Sequence, residues 1–225
     1  MDSVALKNHA PFLVSHSPTQ ESRTTMPYGY HGRILHVDLT AGRTRVEKPD
    51  ADFYRRYMGG TNFGMRYILD QMPAGADPLG PENVFTIMLS VLTGAPFSGQ
   101  SRMAINAKSP LTGAIGDSQA GGFFPAELKF AGYDGIVVTG QAATPVYLWI
   151  HDSEAELRDA SHLWGAGAWE TETRLREELG DDKVEVACVG PAGERLVRFA
   201  AIMNMRNRAA GRTGMGAVMG SKRFK

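Results

Sequence analysis

The 225-residue sequence contains a single cysteine, Cys188. That excludes an internal disulfide and leaves no cluster of thiolates to ligate a metal. No apolar run approaches the roughly 20 residues a membrane-spanning helix needs. Charge of one sign is also lacking, because 24 Lys+Arg balance 24 Asp+Glu. A general nucleic-acid binder would carry a basic surplus. These absences describe an ordinary globular chain, expected in a reducing cytoplasm, with neither nucleic acid nor membrane as a partner. Cys188 lies in the apolar stretch 184–189 and reads as an inert core thiol, not a nucleophile.

The overall balance conceals a segregation. Residues 196–225 carry Arg198, Arg206, Arg208, Arg212, Lys222, Arg223 and Lys225 with no acidic residue, so this segment is net +7 and the remainder net −7. Two readings follow: a basic terminus docked on its own acidic body, or an anion site built at the C-terminal end.

Residues 1–27 are rich in Ser, Thr, His and Pro and read as a disordered leader, with Met26 as an alternative start. Residues 28–225 form the domain. Alternation over residues 33–39 and the turn Thr40-Ala41-Gly42 predict a hairpin. Asp50 or Asp52 can cap a helix through Tyr57, and Thr61 a second one through Met72. Strands are expected at 84–89, 103–107, 135–139, 146–150, 156–158, 184–189 and 196–200. Helices are expected at 123–131, opened by Gln119-Ala120-Gly121-Gly122, and at 168–179. Strands outnumber helices and pair mostly as hairpins, which is an α+β pattern.

Familiar catalytic signals are incomplete. Gly116-Asp117-Ser118-Gln119-Ala120 falls one glycine short of a nucleophile elbow. Gly214-Met215-Gly216 begins like a dinucleotide fingerprint but has Met219 where the third glycine belongs. Three glycine–arginine elements remain: Ser98-Gly99-Gln100-Ser101-Arg102, Gln119-Ala120-Gly121-Gly122, and residues 208–216, which begin Arg208-Ala209-Ala210-Gly211-Arg212. Small residues admit a ligand close to backbone, and arginine forks hold phosphates with paired hydrogen bonds. Together they point to a phosphorylated cofactor; each alone is better read as a glycine turn with a solvated arginine.

These residues sit among longer stretches that carry a resemblance. Lys108-Ser109-Pro110-Leu111-Thr112-Gly113, residues 126–134, Gly190-Pro191-Ala192-Gly193-Glu194, residues 199–204 and residues 208–222 resemble the N-terminal domain of the tungsten-dependent aldehyde:ferredoxin oxidoreductase family. The resemblance runs from Tyr28 to Lys225. It implies two packed β-sheets with flanking helices, forming a base for a tungsten or molybdenum bis-pterin. It further implies that Arg102, Gln119, Gly121, Arg208, Ala209, Gly211 and Arg212 hold the pterins. A Mg ion joining their phosphates is implied at the backbone carbonyls of Gln119 and Ala209. Gln119 stands where the family commonly has Asn, a change that a main-chain ligand tolerates.

The same resemblance places the [4Fe-4S] ligands and the proton-transfer residues in later domains, and Cys188 matches none of them. No residue here is expected to be catalytic. The expected function is the cofactor cradle of an enzyme oxidising aldehydes to acids, with electrons passed through the cluster to ferredoxin. The implied partners are C-terminal iron–sulfur domains or a separate subunit, with ferredoxin reached only through them; self-association is left open. Two other readings stand beside it: a non-catalytic pterin-binding or assembly module, and a folded remnant without a ligand.

Overall fold

A computed structural model describes residues 28–225; the leader expected over residues 1–27 lies outside the described residues. The hairpin expected near the start is β1 (Ile34–Asp38) and β2 (Arg43–Glu47). Two helices follow, α1 (Ala51–Tyr57) and α2 (Thr61–Gln71). Asp50 caps α1 by accepting the Phe53 N–H at 2.8 Å, but α2 starts from Gly60 and not from a Thr61 cap.

The central sheet is completed by β3 (Phe85–Leu89), β4 (Arg102–Lys108), β5 (Ile115–Gly121) and β6 (Gly135–Thr139), in the order β2-β1-β6-β3-β4-β5. Helix α3 (Phe124–Phe130) joins β5 to β6. Only the β1–β6 pair is parallel; every other pair in this sheet is antiparallel. Then come the ribbon β7 (Val146–His151) and β8 (Glu154–Asp159), and α4 (Ala168–Leu179). A second sheet, ordered β11-β10-β9, contains β9 (Ala187–Cys188), β10 (Ile202–Asn204) and β11 (Arg208–Ala210). The short helices α5 (Pro191–Glu194) and α6 (Met215–Ser221) flank it.

The fold is α+β, as expected, and the two packed sheets are the six- and three-stranded ones. One face of the central sheet offers Ile34, Met88 and Val137 to Tyr54, Phe63, Tyr67 and Ile68 of the first two helices. The other offers Leu35, Val37, Ile87, Ile105 and Val138 to Leu128, Ile202, Ala210, Val218 and Met219. Both faces are therefore covered, and strands such as β3 are buried at every position.

The sequence reading fails in further places. The strand expected at 184–189 is reduced to Ala187–Cys188. The one expected at 196–200 is a turn, since Leu196 is left-handed at φ 59 and the Val197 N–H bonds back to Ala192. The strand lies just beyond, at β10. Helix α6 was not expected, because glycine opposes helix formation. Burial overrides propensity there: a Cβ at Gly216 would lie 2.6 Å from the Ala201 carbonyl oxygen, so only glycine allows the contact. Finally, Gln119, Ala120 and Gly121 do not open a helix. They end β5, and α3 begins after Phe123.

Candidate cofactor cradle

β5 is the free edge of the large sheet and β11 an edge of the small one, and the two edges pack together. The join is specific. The Arg212 backbone N–H donates to Ser118 Oγ at 3.1 Å, and Ser109 Oγ–H donates to the Thr213 carbonyl at 2.7 Å. Between the edges lies an open cleft of about 680 Å³ lined by Asp117, Ser118, Gln119, Ala209, Gly211 and Arg212. Four of the seven residues expected to hold the pterins, Gln119, Ala209, Gly211 and Arg212, thus share one cleft. Both residues whose carbonyls were expected to meet Mg, Gln119 and Ala209, line it as well.

The other three stand beside it. Gly121 pairs with Arg102 across the β5–β4 ladder, two residues beyond Gln119. Arg208 pairs with Asn204 across the β10–β11 ladder and immediately precedes Ala209. Strand alternation leaves Asp117 and Gln119 exposed and buries Ser118 and Ala120. The Arg102, Arg208 and Arg212 side chains are exposed, and none makes a hydrogen bond or ion pair among the described residues. Three guanidiniums unpaired among the described residues, with the small residues Gly121, Ala209 and Gly211 beside them, fit a polyanionic ligand, because forks are available for phosphates.

The basic terminus is divided between two tasks. Lys222 is fully buried and donates to the carbonyls of Gly140 (2.9 Å) and Pro81 (3.3 Å). Lys225 pairs with Glu194 at 2.5 Å, and Arg223 donates to the Ala142 carbonyl at 3.2 Å. These three hold the fold together. Of the segment, Arg212 lines the cleft and Arg208 precedes the lining residue Ala209, so the candidate anion site is narrower than the charge of the segment suggested.

Sequence reasoning missed Asp117 and Ser118 as lining residues because their run resembled an incomplete nucleophile elbow. Ser118 instead lies in a regular strand and is buried under the Arg212 amide. Asn204 was also missed. It is buried beside Gly122, and neither its Nδ2 nor its Oδ1 has a partner among the described residues. Cys188 behaves as expected: it is buried, and burial pushes its thiol up to about 11. Among the described residues, no group of three or more His, Cys, Asp or Glu could share a metal ion, and no helix is long and apolar enough to cross a membrane.

The site is thus an arginine-bearing cleft between two sheet edges of an α+β domain, a candidate for holding a phosphorylated cofactor. The aldehyde ferredoxin oxidoreductase N-terminal domain model matches residues 34–225, and the chain belongs to that family. It is 49% identical over 198 residues to the tungsten-containing aldehyde ferredoxin oxidoreductase of Pyrococcus furiosus, covering 88% of this chain and 33% of the relative. The Thermococcus kodakarensis protein of that name is 48% identical over 198 residues, with the same coverage. An aliphatic sulfonate oxidoreductase WOR-like subunit of P. furiosus is 38% identical over 213 residues, covering 88% and 34%. Among solved structures, the active-site complex BamBC of benzoyl coenzyme A reductase, with 1,5-dienoyl-CoA, superposes with a TM-score of 0.86. It is 39% identical, covering 89% of this chain and 30% of that one. The chain spans about a third of the length of the curated relatives it matches.

Proposed function

We propose that this domain holds a tungsten or molybdenum bis-pterin for an oxidoreductase that converts aldehydes to carboxylic acids. The observation that carries the reading is the convergence of Gln119, Ala209, Gly211 and Arg212 on one cleft, with unpaired Arg102 and Arg208 beside it. The names of the relatives supply the metal and the reaction class.

Arg102, Arg208 and Arg212 would neutralise the pterin phosphates. Gly121, Ala209 and Gly211 would leave room for the pterin edge. The main-chain oxygens of Gln119 and Ala209 would hold a Mg ion, which would make the Gln119 side chain dispensable there. When bound, the metal–pterin unit supplies two-electron redox chemistry. No side chain in the cleft is assigned as general base, and Asp117 is kept occupied by the Asn106 amide at 3.2 Å.

The relatives' names include an aldehyde, an aliphatic sulfonate and a dienoyl-CoA. Substrate choice, the [4Fe-4S] cluster and the route to ferredoxin are proposed to belong to the remaining two-thirds of such proteins, and similar domains under different substrate names support this for substrate choice. The test is co-expression with that remainder, followed by metal and pterin analysis. Tungsten or molybdenum with pterin in the complex supports the cradle, and a metal-free, pterin-free complex overturns it.

A further inference from the structure

The β10–β11 hairpin carries Arg208 and Ala209, and it turns through Met205, Arg206 and Asn207. Met205 and Arg206 have φ of 47 and 62. Each left-handed non-glycine residue costs about 1–2 kcal/mol, so the turn must be held by something outside itself. Arg206 provides the hold. Its Nε–H donates to Glu172 Oε1 at 3.0 Å, and its guanidinium carbon lies 4.0 Å from the centroid of the Trp169 ring. Trp169 and Glu172 are three residues apart on α4, hence on one face of the helix. The Glu172 carboxylate is almost fully buried and also pairs with Arg176 at 3.0 Å.

Arg206 therefore differs from its neighbours in the basic segment. Arg208 and Arg212 are exposed and unpaired, whereas Arg206 is gripped from two sides by α4. It is poorly placed to take a phosphate but well placed to fix the strand that does. The left-handed turn sits directly above the Asn204–Arg208 pair, so any slack in the grip reaches Arg208 and Ala209 first.

We infer that Arg206, clamped by Glu172 and Trp169, is a positioning residue that sets Arg208 and Ala209 for the pterin phosphates. The inference rests on the cradle reading above. It assigns to α4 a role in cofactor binding although α4 contributes nothing to the cleft lining.

Hydrogen exchange and pterin content together test it, the first on this chain and the second on the co-expressed complex. In Arg206→Ala, the β11 amides that bond to β10 should exchange at least tenfold faster while those of β3 and β6 keep their wild-type rates. Pterin per complex should fall at least threefold. Arg206→Lys keeps the charge over Trp169 but loses the fork, and should restore part of both. Trp169→Leu alters an exposed ring and leaves the buried Glu172–Arg176 pair intact, so it checks the clamp without risk to the core; it should give an intermediate loosening. Wild-type exchange in β11, or acceleration spread evenly over all strands, would overturn the inference. So would undiminished pterin in Arg206→Ala. A wild-type complex devoid of pterin would overturn the cradle reading itself, and with it the ligand assigned here.

Discussion

Gly122 is the point where β5 leaves the cleft, and its replacement by alanine probes how tightly the two sheet edges are joined. Its φ is +114, where an L side chain is strained. A Cβ there would collide with Asn204 Oδ1 and lie 3.0 Å from Met205 Sδ. The backbone strain costs about 1–2 kcal/mol and forced overpacking about 1–3 kcal/mol, so Gly122→Ala should destabilise by about 2–5 kcal/mol. For a chain of this size, each kcal/mol moves the midpoint by roughly 2–4 °C. Urea unfolding of wild type and variant measures the difference, and the slope with denaturant checks that the comparison is between like states. The mechanism also predicts coupling. Asn204→Ala removes the colliding amide, so the double variant should recover about 1 kcal/mol relative to the sum of the single changes. A Gly122→Ala loss below about 0.5 kcal/mol, within the range of an inconsequential surface change, would refute the close approach of the hairpin to β5. Strict additivity would refute the role given to Asn204.

Three further outcomes follow from buried groups outside the cleft. The Asp134 carboxylate accepts Lys129 Nζ at 2.6 Å and the backbone N–H groups of His31, Gly32 and Arg33. Asp134→Ala strands a buried ammonium and should cost about 3–5 kcal/mol in urea unfolding; a loss under about 1 kcal/mol would contradict this. Burial lowers the Lys222 pKa to about 8 from 10.5, so between those values the unfolded chain binds more protons at this site. Wild-type stability relative to Lys222→Met should therefore rise by about 3 kcal/mol from pH 8 to pH 10.5, and a difference that stays flat or falls would refute the assignment. Cys188, with its thiol pushed up to about 11, should resist iodoacetamide at pH 8 in the native protein and react on unfolding. Native-state labelling at the unfolded rate would contradict its burial.

What the sequence disclosed depended on how local the signal was. The β1–β2 hairpin is set by its own alternation and turn, and α4 by a helix-forming run that ends at Gly180, left-handed at φ 67; both were legible. Helix α6 was not, because its glycines are selected by close backbone contacts, Gly216 with Ala200–Ala201 and Gly220 with Gly193, which no window of sequence reveals. Residues 119–121 were misread because the true helix start marked by Gly121-Gly122 and Pro125 was extended back over them, whereas pairing with β4 makes them a strand. The site residues were identified by resemblance and not by spacing: residues 119 and 209 are far apart in sequence, and only the meeting of two sheet edges makes them neighbours. Arg206 and Arg208 differ by two positions and look alike in sequence. Their different surroundings follow from Glu172 and Trp169, which belong to α4 and hold only Arg206 of the two.

The most direct test of the cradle compares the wild-type chain with Arg208→Ala/Arg212→Ala, each purified with the segments corresponding to the rest of its relatives. The quantity measured is tungsten or molybdenum and pterin per complex. Both arginines are exposed and unpaired among the described residues, so the double variant should fold with a midpoint within a few degrees of wild type. Wild type should carry metal and pterin, and the double variant at least tenfold less of each. Equal cofactor content in the two proteins, or none in wild type, would contradict the account.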